Sequence, residues 1–151
     1  MKKVLITMFV ALLMAGCGSP DLDDTETLEE IIAEAIDSKN TQERDKDGDK
    51  LVYVQNQSTP YTGWRKRMDD NGQIRILSQY KDGRLDGLMT KWYDNGQKEM
   101  KGNLKDGRLD GLQTMWYENG QKKEEGNKKD GTPDGLWRYW HENGQKFEVN
   151  F

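Results

Sequence analysis

Apolar and polar residues alternate in short runs through the C-terminal two thirds of the chain. In one such stretch an alternating run at 88–93 is followed by Asp94-Asn95-Gly96 and then by a second extended run at 97–104. A period of two is typical of a β-strand with one buried face, and an Asn-Gly pair between two such runs signals a tight turn. The pattern therefore predicts a β-hairpin.

The same hairpin pattern recurs every 24 residues, which indicates an internal repeat. Asn-Gly-Gln begins at Asn71, Asn95, Asn119 and Asn143, and a second glycine recurs at Gly63, Gly87, Gly111 and Gly135. The units are expected at about 61–84, 85–108, 109–132 and 133–151. Because one hairpin cannot bury its apolar face alone, neighbouring units must join. The expected fold class is all-β: tandem antiparallel β-hairpin repeats that form one extended twisted sheet over 51–151, with a short N-terminal amphipathic helix.

The side-chain pattern also favours one turn geometry. A two-residue Asn-Gly loop would place Trp64 and Met68 on the same face as Arg75 and Gln79. A three-residue loop with a G1 bulge at the glycine instead gathers apolar residues on one face, because register follows burial. That face would contain Trp64, Met68, Ile74, Ile76 and Tyr80 in the first unit, and Leu88, Trp92, Met100 and Leu104 in the second. The connection between units, Lys-Asp-Gly-Arg-Leu-Asp-Gly, is expected to be a wider loop.

Three segments are expected between the start of the chain and the repeats. Residues 17–26 are polar and suit a flexible tether. Residues 27–38 begin with a capping box and carry a helical stripe of apolar residues, which predicts an amphipathic helix that caps the array or docks a partner. Residues 39–50 are expected to be an acidic turn or linker. Their aspartates miss the spacing of a calcium-binding EF-hand loop, so no metal site is predicted there.

The first residues have the layout of an export signal. Lys2 and Lys3 precede an apolar run at 4–15 that is too short to span a membrane. Leu13-Met14-Ala15-Gly16-Cys17 resembles a bacterial lipobox, so 1–16 is expected to be a signal peptide and Cys17 the acylated N-terminus of a membrane-anchored lipoprotein. The alternative is a conventional signal peptide cut nearby, which would leave Cys17 as a free thiol.

The residue after the cysteine indicates the cellular location, and the net charge indicates which class of partner to exclude. Gly18, rather than aspartate, follows Cys17, which resembles the outer-membrane sorting pattern of enterobacterial lipoproteins. The expected location is the cell envelope, and the outer membrane in a Gram-negative cell. Removal of 1–16 lowers the number of Lys and Arg from 23 to 21 against 27 Asp and Glu, a formal charge of −6. Nucleic acid is therefore not an expected partner.

The repeat units resemble the MORN-repeat variant of bacterial proteins, including proteins described as YwqK-family antitoxins. The resemblance covers 51–151 and rests on motifs that recur in it: Pro60-Tyr61-Thr62-Gly63, Trp92-Tyr93-Asp94-Asn95-Gly96-Gln97, Lys105-Asp106-Gly107-Arg108-Leu109-Asp110-Gly111 and Trp140-His141-Glu142-Asn143-Gly144-Gln145. The first unit departs, with Met68-Asp69 where later units have Trp-Tyr or Trp-His. The resemblance implies an open array of hairpins and a role in partner binding. Some of the similar proteins are described as neutralising a toxin.

The last unit is apolar on both faces, which makes it the candidate site for a partner. The bulged register places Tyr139 opposite Phe147 and Trp137 opposite Val149, on the face away from Leu136 and Trp140. Together with Phe151 these residues could form a binding patch for a protein, with Trp137 and Tyr139 as anchors. The alternative is that the unit folds onto itself or onto a second copy. Tyr93 and Tyr117, at equal positions of successive units, could stack sugars or only pack across strands.

Catalysis is not expected. His141 is the only histidine, and neither a phosphate-binding glycine loop nor a nucleophile elbow is present in the sequence. No cofactor, metal or catalytic residue is predicted. The expected function is a lipid-anchored binding or scaffold module of the cell envelope, with an antitoxin or immunity protein as the alternative. The protein partner, the oligomeric state and the final membrane are left open.

Overall fold

The structure is a computed structural model that describes residues 20–151. The predicted signal peptide at 1–16 and Cys17 lie outside the described residues. Within the described part, no helix has the length and apolar character needed to cross a membrane. The described residues divide into two units, 20–33 and 34–151.

Helix α1 is Thr25–Glu34, and all but its last residue belong to the first unit. The helix was predicted at 27–38, but it begins two residues earlier and ends four residues earlier. The reason at the N-terminus is the capping residue: Asp24 accepts a hydrogen bond from the Thr27 backbone N–H at 2.8 Å, whereas Thr27 was predicted as the cap. Hydrogen bonds from the side chain and backbone of Thr27 hold the pKa of the Asp24 carboxyl below its usual range.

The second unit begins with short elements that precede the repeats. Strand β1 is Ile36–Asp37, a 3₁₀ turn covers Ser38–Asn40, and strands β2 and β3 are Thr41–Lys46 and Asp49–Val54. The prediction of a linker at 39–50 was wrong, because 41–46 pairs with β3 in an antiparallel hairpin and 49–50 are the first residues of β3. The turn of this hairpin is Asp47-Gly48, where both residues have positive φ. Most side chains of β2 are solvent-exposed, so this strand can be polar, whereas Leu51, Val52 and Tyr53 of β3 are buried.

Eight further strands form the repeat array in chain order. They are β4 Gly63–Met68, β5 Ile74–Lys81, β6 Arg84–Trp92, β7 Lys98–Lys105, β8 Arg108–Trp116, β9 Lys122–Lys129, β10 Thr132–Trp140 and β11 Lys146–Asn150. Each is antiparallel to the next, and β1 pairs in parallel with β4, so one open sheet of nine strands results. This confirms the predicted all-β array of tandem hairpins with one short helix.

The two kinds of turn alternate along the array, and the sequence predicted only one of them correctly. At the Asn-Gly turn of the first unit, the Gly72 N–H donates to the Asp69 carbonyl at 3.1 Å and the Asp69 N–H donates to the Gln73 carbonyl at 2.9 Å. This is the predicted three-residue loop with a bulge glycine, whose φ is 78°. The connection between units is not a wide loop, because Asp82 and Gly83 both have positive φ and form a two-residue turn of type I′.

A second bulge changes the register in the first three units. Arg67 is opposite Ile76 while Met68 is opposite Ile74, so Arg75 is an extra residue in its strand. Glu99 and Lys123 are the equivalent extra residues of the next two units. Each extra residue moves the rest of its strand by one position, and a shift of one residue reverses the face of every side chain beyond it.

The predicted apolar faces of the first two units were therefore wrong. Trp64 is opposite Gln79, as a two-residue loop would have placed it, so Ile76 and Tyr80 lie on the other face. In the next unit Leu88 is opposite Asn103 and Met100 is opposite Lys91. Two faces can be defined by following the register. The Trp64 face contains Trp64, Leu77, Leu88, Thr90 and Trp92, and the Trp137 face contains Met89, Met100, Met115, Trp137 and Tyr139.

Candidate binding surface on the last hairpin

The last hairpin keeps the register that the sequence predicted for the whole array. Tyr139 is opposite Phe147 and Trp137 is opposite Val149, and no register shift interrupts β10 and β11. The absence of a second bulge leaves Phe147 at the position where earlier units have the extra residue. The rings of Tyr139 and Phe147 stack with centroids 5.1 Å apart and planes 14° apart. A bulge would move Phe147 off Tyr139, so this stacked pair favours the regular strand.

Trp137 lies inside the hairpin rather than on its surface. Its side chain is 1% exposed, and its indole N–H donates a hydrogen bond to the Asn127 carbonyl at 2.9 Å. The ring lies across Gly126, where a Cβ atom would overlap it, and the Phe151 ring meets it edge-on at 6.4 Å. The prediction that Trp137 is an accessible anchor was therefore wrong. Gly126 is needed at this position because only a residue without a side chain leaves room for the indole.

Four large apolar side chains of this hairpin are open to solvent: Leu136 is 43% exposed on the Trp64 face, and the other three lie together on the Trp137 face. Phe147, Val149 and Phe151 are 46%, 36% and 60% exposed and lie on the Trp137 face. Tyr139 is half-buried beside them, and burial raises the pKa of its hydroxyl, with the nearby Glu124 carboxylate acting in the same direction. Of the five predicted partner-binding residues, the structure thus brings four to a common exposed patch and places Trp137 underneath it.

The opposite face of the same strand is charged. Glu148 lies 2.9 Å from the Lys146 ammonium and 3.3 Å from the Arg138 guanidinium. Lys146, and to a smaller extent Arg138, hold the pKa of the Glu148 carboxyl below its usual range. Strand β11 therefore combines an apolar face, a charged face and, within the described residues, an outer edge that pairs with no strand.

Tyr93 and Tyr117, at equal positions of successive units, have a structural role. The Tyr93 hydroxyl donates to the Trp116 carbonyl and the Tyr117 hydroxyl to the Trp140 carbonyl, each at 2.8 Å. Burial, and next the carboxylates of Glu99 and Glu118, raise the pKa of Tyr93, so its hydroxyl stays neutral and able to donate. Each bond joins one unit to the following unit, which favours packing across strands over sugar stacking as the role of these two tyrosines.

Sequence reasoning missed a cleft of about 320 Å³ at the N-terminal end of the Trp137 face. The Arg65 side chain crosses it, donating to the Thr41 hydroxyl at 3.0 Å and to the Tyr80 hydroxyl at 2.9 Å. The sequence signal was the pair Arg65 and Arg67, which share a face in β4. This pair would indicate a cleft only if β2, which supplies Thr41 and Glu43, had been predicted as a strand. Within residues 20–151, no cluster of side chains is suited to hold a metal ion.

Comparison with known proteins agrees with this geometry. Residues 85–106, 109–130 and 133–151 match a family described as the MORN repeat variant. These segments coincide with the hairpins β6–β7, β8–β9 and β10–β11, while the hairpin β4–β5 lies outside the match although its turns are the same. No curated protein matches the chain. Repeats of this kind suggest a binding or scaffold role. The chain is therefore a repeat protein in which three tandem units match the MORN repeat variant.

Proposed function

We propose that this protein is a lipid-anchored interaction module of the cell envelope, which binds a protein partner through its last hairpin. The observation that carries the proposal is the exposed patch of Phe147, Val149 and Phe151 on a strand with an open edge. Exposed apolar clusters rimmed by charge are typical of protein interaction sites. Strands β4 to β9 lack such a patch, since Leu112 is their only large apolar side chain with this degree of exposure, and it lies on the Trp64 face together with Leu136 of the last hairpin.

The anchor is the second part of the proposal. The lipobox-like Leu13-Met14-Ala15-Gly16-Cys17 would direct cleavage before Cys17 and acylation of that residue. Two or more acyl chains, palmitate among them, hold a protein stably on a bilayer, because each buried methylene contributes roughly 0.8 kcal/mol. Gly18 at the next position supports the outer membrane as the destination in a Gram-negative cell. A tether from Cys17 would present the repeat array beside the membrane surface.

The interaction surface is tested by crosslinking in the native cell followed by mass spectrometry of captured proteins. We expect Phe147→Ser combined with Phe151→Ser to abolish capture. Leu112→Ser is the matched control, because it removes an equally exposed apolar side chain from the other face of an interior strand. Circular dichroism should show that all variants keep the sheet. Capture that persists unchanged in the double variant would reject the last hairpin as the site.

The anchor is tested separately. Cys17→Ser should abolish incorporation of labelled palmitate and release the protein from the membrane fraction. Met14→Leu, which changes the lipobox toward its usual form, should leave both properties intact. Membrane association without acylation in the Cys17→Ser variant would contradict a lipid anchor.

A second candidate function is an antitoxin or immunity protein, which rests on the resemblance to YwqK-family antitoxins. In that case the captured partner would be a toxin, and co-expression would restore growth of cells that produce it. Loss of this protection in the variant with Phe147→Ser and Phe151→Ser, but not in Leu112→Ser, would support the function. Full protection by the double variant would exclude this surface from it.

A further inference from the structure

Within residues 20–151, the outer edge of β11 pairs with no strand. The Phe151 N–H donates to the Gly135 carbonyl at 3.1 Å and the His141 N–H donates to the Gln145 carbonyl at 2.9 Å. In an antiparallel pair the N–H and C=O of one residue point the same way, and the direction alternates along the strand. The backbone N–H and C=O groups of the odd-numbered residues of β11 therefore point toward β10. Those of Lys146, Glu148 and Asn150 point outward, away from β10.

This edge lacks the features that usually prevent edge pairing. The equivalent strands β5, β7 and β9 contain a bulge near their start, and β11 contains none. The strand also has no proline. Bulges, prolines and uncompensated lysines keep edge strands from joining, so a regular strand with one lysine and one glutamate is open to addition.

The charges on β11 identify a second copy of the same strand as a complementary partner. In an antiparallel pair centred on Phe147, Lys146 of each copy lies opposite Glu148 of the other. Centring on Glu148 would oppose two carboxylates, and a centre at Lys146 would oppose two ammonium groups. Opposite charges directly across strands stabilise a sheet and like charges destabilise it. A centre at Val149 avoids repulsion but forms neither ion pair.

The apolar face agrees with the same register. Phe147 would meet its own copy in a pair without hydrogen bonds, where the Cα atoms are about 4.5 Å apart and side chains are closest. The stacked rings of Tyr139 and Phe147 in one copy would then lie next to the same stacked pair in the other copy. We propose that two copies of this protein pair edge to edge through antiparallel β11 strands, with Phe147 opposite Phe147 and Lys146 opposite Glu148.

The inference rests on the proposed function, because it names the partner of the same surface. A single strand edge forms a small interface, and such interfaces bind weakly. Anchoring both copies on one membrane would raise their effective concentration and favour the pair. The two sheets would become one continuous sheet across a two-fold axis.

The register is tested by disulfide trapping of the full chain in its native membrane. Phe147→Cys should give a covalent dimer under mild oxidation, because the two sulfur atoms would lie across the two-fold axis at bonding distance. Val149→Cys is the control, since Val149 would lie opposite Gln145 and far from its own copy. A dimer from Val149→Cys but not from Phe147→Cys would overturn the register.

A charge exchange tests the ion pairs on the detergent-solubilised full chain, by sedimentation. We expect Lys146→Glu alone and Glu148→Lys alone each to weaken the dimer by roughly tenfold or more, which corresponds to about 1.4 kcal/mol. The double variant K146E/E148K should restore it, and circular dichroism should show an intact sheet in all three. A monomer at every concentration, without trapping in the membrane, would overturn the inference. If Phe147→Ser with Phe151→Ser then still abolished capture of another protein, the proposed function would stand.

Discussion

The hydroxyl of Tyr117 donates a hydrogen bond to the backbone carbonyl of Trp140, 2.8 Å away, and so joins the turn of one repeat to the first strand of the next. Tyr93 makes the same bond to Trp116 one unit earlier. Nearest-neighbour bonds of this kind give a repeat array its cooperativity, because each unit contacts mainly the adjacent units.

We expect Tyr117→Phe to lower the free energy of unfolding by about 1 kcal/mol, because the Trp140 carbonyl loses its donor while the ring remains. Urea denaturation measures the change, and Tyr93→Phe should give a similar value. Tyr139→Phe is the control, since its hydroxyl makes no bond described in the structure. Equal losses in Tyr117→Phe and Tyr139→Phe would show that the hydroxyl bond contributes nothing specific.

Gly126→Ala is expected to destabilise the last hairpin by roughly 1–3 kcal/mol, because a new methyl group would overlap the Trp137 ring. Gly102→Ala should cost less, since its Cβ would meet only the flexible end of Leu109 at 3.0 Å. Thermal unfolding compares the two. A Gly126→Ala variant as stable as Gly102→Ala would mean that the indole can move aside without loss.

The type I′ turns between repeats lead to a prediction at Asp106, whose φ is 48°. Asp106→Ala should lower stability by about 1 kcal/mol, because alanine resists the left-handed region that aspartate and asparagine tolerate. Asp106→Asn should keep or slightly raise stability. Urea denaturation measures the free energy of unfolding of both variants. Equal stability of the alanine and asparagine variants would show that backbone strain at the turn does not lower the stability of Asp106→Ala.

Helix α1 should respond to pH through its cap. The pKa of Asp24 is lowered in the folded protein, so its stabilising contribution is present above the unfolded value of about 3.9 and is lost as the pH falls through the folded value. Amide hydrogen exchange at Thr27 and Leu28 should therefore accelerate on acidification beyond the intrinsic change of rate with pH. Asp24→Asn keeps the acceptor without the titration, and it should lack that extra acceleration. The same acid response in the asparagine variant would point to another group.

Turns were the most predictable part of the fold. The Asn-Gly loops could be derived from sequence because a positive φ at Gly72 is a local requirement that few other residues meet. The type I′ turns follow the same rule at Asp82-Gly83, but the glycine at 87 made the connection look wider than it is. That glycine lies within strand β6, where the Leu88 N–H donates to the Gln79 side chain at 2.9 Å. A bulge bridged by a glutamine side chain leaves no local signal.

The sequence by itself determined the 24-residue period, the hairpins, their order in one sheet and the faces of the last unit. The tertiary structure alone decided the second bulge at Arg75, Glu99 and Lys123, the strand at 41–46 and the burial of Trp137. Turn geometry depends on the φ that a few adjacent residues can adopt, so it can be read locally. Register and burial depend on what packs across neighbouring strands. Phe147 stays in phase because Tyr139 stacks on it, and Trp137 is hidden because Gly126, in the preceding strand, makes room.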